Sequence, residues 1–384
     1  MNQWWYRIMP STLEFLRYRS DLDRQLLRRI GYTNGLHNIA RFARVVEYVY
    51  SNIPCSLPLL LEIIINSERK RRNTSNLQGN KYTQGIIEVT RALGLLEKVG
   101  PKISLTDNGY ALHAINRISF YNNGIKPFLF VRVLETDGEY TLNILRLIDE
   151  GYHGDTGIGE ELIKRFLALI EFKSDRALQL PDKLSQDIVL SVLIDAQKTL
   201  EKAVSKNGVD RFYKHTVNPR KEWLRDFGFI LEIDGHEEVS TSGKRVLSYL
   251  NKRGCYQPHF ISLPLDDWLA SALNIPNRVD AKDLYWSILA YGILGDEKDS
   301  EITRDLKELL EKIKSIYPYV KLINFNEAEV SSLYGVLACS EAVNGKILFK
   351  EDFERAINDI LIKYPKDVFK LTKRRGIGSY IALK

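Results

Sequence analysis

The 384-residue chain carries 55 Lys and Arg against 49 Asp and Glu, a formal charge of +6, and is 44% apolar and 27% charged. That length is enough for two or three domains, each with its own core, and the composition excludes a disordered or fibrous chain. No run approaches ~18 consecutive apolar residues, so neither a helical membrane span nor a membrane partner is expected.

At the N-terminus, Trp4-Trp5-Tyr6-Arg7 lacks a charged-then-apolar leader layout, so a cytoplasmic protein is expected. Residues 1–120 hold 17 Lys and Arg against 9 Asp and Glu, leaving 38 against 40 for the rest, so a polyanion would meet the first third of the chain. The plain alternative is a solvated helical face. Asn38–Tyr50 alternates apolar and basic residues at helical spacing (Ile39, Phe42, Val45, Val46, Val49), and Leu57–Ile65 reads as a second, apolar helix. Ser67–Asn80 then carries Glu68-Arg69-Lys70-Arg71-Arg72 and leads into a helix with Ile86, Val89 and Leu93 on its apolar face. That helix stops at Gly94, Leu95-Leu96 starts a strand, Val99-Gly100-Pro101-Lys102 turns it, and Leu105-Thr106 closes the hairpin and caps a helix bearing Ala111, Leu112 and Ile115.

The same phrase recurs further along the chain. Arg225-Asp226-Phe227-Gly228-Phe229-Ile230 leads through Asp234-Gly235-His236 to Val239-Ser240-Thr241-Ser242-Gly243, and the Gly228-to-Gly243 spacing equals that from Gly94 to Gly109. One offset therefore aligns both glycines, both arginines, Leu93 with Phe227 and Leu105 with Val239. Between the copies lie predicted helices at 140–150, ended by Gly151, after Thr156, and at 184–205; Asn218-Pro219-Arg220 opens the helix of the second copy. Beyond it come helices near 265–273, 281–294, 301–316 and 350–364.

Helix, glycine stop, hairpin and trailing helix resemble the back half of a winged-helix domain. The resemblance implies a mainly α fold with short β-hairpins, built of tandem winged-helix-like modules packed together: a basic module at 1–125, a second at 126–255 and a helical region at 256–384 that ends in a basic hairpin, where helix followed by hairpin at 350–383 hints at a third winged helix. It also implies that Arg69, Lys70, Arg71 and Arg72 lie beside a DNA-reading surface. On the first recognition helix, Lys81, Tyr82, Gln84, Glu88 and Arg91 lie off the apolar face. Gln and Arg there suit base edges, and Lys and Tyr suit phosphates. The first wing offers Lys98 and Lys102, whereas the second offers Asp234, Glu237 and Glu238, which phosphate would repel. The copies are thus expected to do different jobs.

The chain finishes in Leu371-Thr372-Lys373-Arg374-Arg375-Gly376-Ile377-Gly378 followed by Ser379–Leu383. It resembles a helix-hairpin-helix motif, but only two residues follow Ala382, too few for a second helix. A basic β-hairpin is the simpler expectation, and Lys373, Arg374 and Arg375 suit phosphate in either form.

Enzyme signatures are weak. Glu171-Phe172-Lys173, with Asp155 upstream, matches the Glu-x-Lys of PD-(D/E)xK nucleases, yet Leu162, Ile163, Phe166, Leu167 and Ile170 have a helical period where that chemistry wants a sheet. Gly154–Gly159 lacks the ending of a P-loop, and the six histidines have no metal-ligand spacing. Cys55, Cys255 and Cys339 are isolated and odd in number, so buried free thiols are expected, with no cofactor. The expected function is non-catalytic binding of double-stranded DNA, with a protein partner or second copy of the chain. Such arrays resemble the recognition portions of some restriction enzymes and accessory subunits of bacterial defence or mobile-element systems. The alternative is a scaffold whose winged helices contact proteins.

Overall fold

The computed structural model describes residues 26–383 apart from 31–32, 34–35, 37, 73–78, 119–123, 181–182, 266–280, 323–325 and 375–377. It is mainly helical, with few and short strands, and no described helix is long and apolar enough to cross a membrane. The predicted helix at 265–273 falls almost wholly outside the described residues.

The first region runs α1 (Ala40–Ser51), β1 (Cys55–Ser56), α2 (Leu57–Arg72), α3 (Gly79–Ala92), the hairpin β2 (Leu96–Val99) and β3 (Lys102–Leu105), and α4 (Asp107–Arg117). The apolar stripe of α1 is buried as its spacing predicts, with Phe42, Val45, Val46 and Val49 inside. Strand β1 adds to the hairpin antiparallel, Cys55 opposite Ile103 and Ser56 opposite Lys102, giving a sheet of order β1-β3-β2. The helix α2 continues through the basic cluster, which the sequence had placed in a connecting segment.

The repeated phrase folds identically twice. At the end of α3, Gly94 adopts φ +67°, its N–H donates to Arg91 O (2.9 Å) and Leu95 N–H reaches back to Thr90 O (3.2 Å). The second copy comprises α8 (Asn218–Asp226), β4 (Ile230–Ile233), β5 (His236–Val239) and α9 (Thr241–Lys252). There Gly228 at φ +78° donates to Arg225 O (2.9 Å) and Phe229 N–H to Leu224 O (2.9 Å). Both are Schellman ends, where a residue without a Cβ satisfies the last carbonyls. The hairpin registers match, Leu96 opposite Leu105 and Ile230 opposite Val239. Thr106 Oγ1 donates to Gly94 O (2.6 Å) and accepts from Gly109 N–H (3.1 Å); Ser240 Oγ repeats both bonds with Gly228 O (2.6 Å) and Gly243 N–H (3.1 Å). A Cβ at Gly109 would lie 2.2 Å from Leu95 O, and one at Gly243 2.4 Å from Phe229 O. The trailing helix thus starts against the strand's own carbonyl, which is why both copies need glycine there.

Between the copies stand α5 (Ile125–Asp149), α6 (Asp155–Ala177) and α7 (Lys183–Phe212), the last broken at Gly208 (φ +70°) and followed by a π-helical turn, Tyr213–Val217. The sequence predicts only the part of α5 from Tyr140 onward, because Arg132, Asp137 and Glu139 interrupt its apolar pattern. All three are buried. They and their neighbours bind the backbone of irregular segments: Asp137 accepts from Ile30 N–H (2.6 Å), Glu139 from Leu263 N–H (3.0 Å), and Asn143 exchanges bonds with Ile261 N–H (2.8 Å) and O (3.1 Å). Buried polar groups are tolerated when they are satisfied in this way.

The C-terminal region contains α10 (Ala281–Leu294), β6 (Lys298–Asp299), α11 (Leu306–Val320), β7 (Ala328–Glu329), α12 (Val330–Val343), β8 (Lys346–Ile347), α13 (Lys350–Lys363), β9 (Val368–Arg374) and β10 (Gly378–Leu383). The terminal hairpin forms as expected, with Ile381 opposite Leu371 and Tyr380 opposite Thr372. Helix α12 was not predicted, since its nearly uniform burial leaves no amphipathic period. Cys55, Cys255 and Cys339 are buried and free; burial pushes the Cys255 thiol up to about 11, so it stays protonated.

Candidate nucleic-acid interface

In the first copy, α3 buries Thr83, Ile86, Ile87, Val89 and Thr90 and presents Gln84, Glu88 and Arg91 along one stripe. Positions i, i+4 and i+7 share a helix face, so this is the helix's open side. Arg91 leans on Glu88 (Nη1 to Oε2, 2.8 Å), a solvent-exposed pair that a stronger anion can displace at little cost. Tyr82 departs from the expectation. Its ring packs against the core, its hydroxyl is buried, and Arg41 lies over the ring at 5.3 Å, so it cannot hold phosphate. Lys81 sits in the first turn of the same helix, with its side chain outside the described residues.

Lys98 and Lys102 are exposed on β2 and β3, beside the turn Gly100-Pro101. Among the described residues no carboxylate pairs with either. Arg69–Arg72 occupy the last turn of α2, directly before the segment leading to α3, and their side chains lie outside the described residues, as do those of Lys373 and Arg374 on β9. Arg375 is outside the described residues altogether.

The unit is braced from behind. Arg132 of α5 donates from Nε to Leu93 O (3.0 Å) at the end of α3. Glu47 of α1 accepts from Arg117 (2.8 Å) and meets His113 Nδ1 (2.8 Å), whose ring stacks on Tyr50 at 3.6 Å. Burial pushes the Glu47 carboxyl up, but its bonds to His113 and Asn116 and the nearby Arg117 outweigh that and leave it below its ordinary value.

The second copy has no such open side. Pro219, Arg220, Lys221, Trp223 and Leu224 of α8 are all buried. Arg220 makes a bidentate pair with Asp137 (2.6 and 2.6 Å), donates to Thr216 O (2.6 Å), Ile30 O (2.7 Å) and Thr33 Oγ1 (3.1 Å), and stacks over Tyr140 at 4.7 Å. Lys221 pairs with Glu237 (2.6 Å), and Arg225 with Glu222 (2.5 Å), Glu237 (3.3 Å) and Glu232 (3.6 Å). The acidic wing therefore neutralises its own helix. On the opposite face of β4, Leu231 and Ile233 are exposed.

The nuclease alternative fails on geometry. Glu171 and Lys173 lie within α6, and Lys173 is buried against Glu139 (2.6 Å) and Leu26 O. Burial lowers the Lys173 ammonium pKa, although Glu139 opposes this. Asp155 opens the same helix, with its side chain outside the described residues. Among the described residues no group of three or more His, Cys, Asp or Glu is placed to hold a metal. Comparison of the chain with protein-family models, curated proteins and solved structures finds no match.

Proposed function

We propose that the chain is a non-catalytic binder of double-stranded DNA and that residues 40–117 act as a winged helix, with α3 entering the major groove and β2–β3 as the wing. One observation carries this reading: the order helix, strand, helix, helix, hairpin with sheet order β1-β3-β2 ends in a wing whose two lysines are exposed and have no carboxylate partner among the described residues. An open helix stripe of Gln84, Glu88 and Arg91 offers donors and an acceptor to base edges. Lys98, Lys102 and the Arg69–Arg72 cluster supply the phosphate contacts that set position and most of the affinity. A cytoplasmic restriction or defence complex is the setting that the sequence resemblance favours.

Fluorescence anisotropy of the full chain with random duplex and single-stranded DNA at two salt concentrations tests this. The expected result is salt-sensitive duplex binding, with Lys98→Glu/Lys102→Glu reducing the slope of log K against log salt by about two. No duplex binding at low salt rejects the reading. A second reading, a scaffold contacting protein partners, is supported by the buried α8 and by the exposed Leu231 and Ile233 on the second wing. It is favoured by a stable co-purifying partner together with failure to bind DNA.

A further inference from the structure

We infer that Arg91 at the end of α3 and Lys98 on β2 act together as one seat for acceptor oxygens of the duplex, a seat that the second copy fills with its own carboxylates; this rests on the DNA reading above. The offset that aligns Gly94 with Gly228 also aligns Glu88 with Glu222, Arg91 with Arg225, Lys98 with Glu232 and Ile103 with Glu237. The fold keeps that alignment. Lys98 stands opposite Ile103 in the first hairpin as Glu232 stands opposite Glu237 in the second, and each arginine carbonyl accepts from its stop glycine at 2.9 Å.

In both copies Nη1 of the arginine donates to the glutamate one turn earlier, Arg91 to Glu88 (2.8 Å) and Arg225 to Glu222 (2.5 Å). The other end of the guanidinium is where they differ. Arg225 Nη2 reaches the hairpin and meets Glu237 (3.3 Å) and Glu232 (3.6 Å). The same register positions in the first copy hold Ile103, which is buried, and Lys98, which is exposed. Among the described residues Arg91 pairs with no carboxylate besides Glu88, and its Nε is buried, so Nη2 is the end left for a ligand.

Charge changes sign with the exchange. Positions 87, 88, 91, 98 and 103 carry a formal +1, and their counterparts 221, 222, 225, 232 and 237 carry −1. The second frame holds its own anions, and the first replaces one of them with a cation. An arginine end beside a lysine suits phosphate oxygens, or guanine O6 and N7 with the lysine on a flanking phosphate; the shared chemistry is a negative oxygen acceptor at the junction of helix and wing. Lys102 is no part of this seat. Lys98 and Ile103 share one face of the hairpin, and alternation along β3 puts Lys102 on the other.

The test measures, at one low salt concentration, the loss of duplex affinity that Arg91→Ala causes in the wild type, in Lys98→Glu and in Lys102→Glu. Lys98→Glu restores a carboxylate at the register position of Glu232 and lets the seat fill itself, whereas Lys102→Glu makes the same change of net charge on the other face. The expected loss is about tenfold in the wild type and in Lys102→Glu, and less than about threefold in Lys98→Glu. An equal loss in all three backgrounds, an equal reduction in both glutamate backgrounds, or no loss in the wild type overturns the shared seat while leaving DNA binding intact. If Lys98→Glu binds too weakly to measure, Lys98→Ala takes its place: the double alanine change should then cost at least about threefold less than the product of the two single losses, and a simple product overturns the seat. Salt dependence identifies the oxygen. Arg91→Ala lowers the slope of log K against log salt by about one for phosphate, and for guanine it keeps the slope and erases the preference for one base pair. If the wild type binds no duplex, the DNA reading itself falls and this inference with it.

Discussion

The helix α3 at residues 79–92 and the helix α8 at 218–226 end in the same Schellman turn, lead into hairpins of the same register and hand over to trailing helices capped by the same hydroxyl bonds. Yet α3 keeps an open stripe, while α8 is packed into the middle of the molecule with its arginine paired to Asp137. The local circuit of glycines and caps specifies a supersecondary unit. What that unit can touch is decided by whichever neighbour covers its helix, here α5.

The largest effect should come from uncovering α8. Arg220→Ala leaves Asp137 buried without its partner and is expected to cost about 3–5 kcal/mol in chemical denaturation, whereas Asp137→Leu/Arg220→Met recovers most of the loss. A small effect of the single change would mean that α8 is less enclosed than described. Next, Gly109→Ala and Gly243→Ala should each cost about 1–3 kcal/mol, since either Cβ collides with a strand carbonyl. Unequal costs would show that the two circuits are not equivalent. The copies should then part company in DNA binding: Arg91→Ala lowers affinity by about tenfold, within the range for one base contact, and Arg225→Ala leaves it unchanged. Thr106→Ala and Ser240→Ala should be alike in stability, about 1 kcal/mol each.

The smallest effect concerns acid. The first copy ties its trailing helix to α1 through Glu47 and His113, where the second has the apolar Leu247 at the matching position. The folded-state pKa of Glu47 is depressed, so its stabilisation is present above the ordinary carboxylate pKa of about 4.3 and is lost as pH falls through the lower folded value. Wild type should therefore melt above Glu47→Gln at pH 6, and the gap should close towards pH 3.

Both copies were legible in the sequence because their determinants are local: a glycine at φ > 0, a turn, a cap and an apolar pair within about 15 residues. The fate of α8 was not legible, because the partners that bury Arg220 and Lys221, Asp137 and Glu237, are brought to them by the fold from elsewhere in the chain. The front of α5 was hidden for the same reason. Tyr82 was misplaced because an aromatic residue at the edge of an apolar stripe belongs to either side until Arg41 covers it. In the C-terminal region the helix and basic hairpin at 350–383 were legible, whereas β7, two residues long, and α12, which has no polar face, were not.

The polar ridge on α5 also bears on the order of events during synthesis. Residues 26–36 leave the ribosome early, but what holds them comes late: Ile30 bonds to Asp137 and Arg220, 107 and 190 residues downstream, and Leu36 to Trp223, 187 residues downstream. Ile30 O and Leu36 O therefore gain these partners only once α8 has been made and packed against α5. A nascent chain stalled before residue 220 has no Arg220 guanidinium to meet Asp137, so burial of that charge must await the second copy.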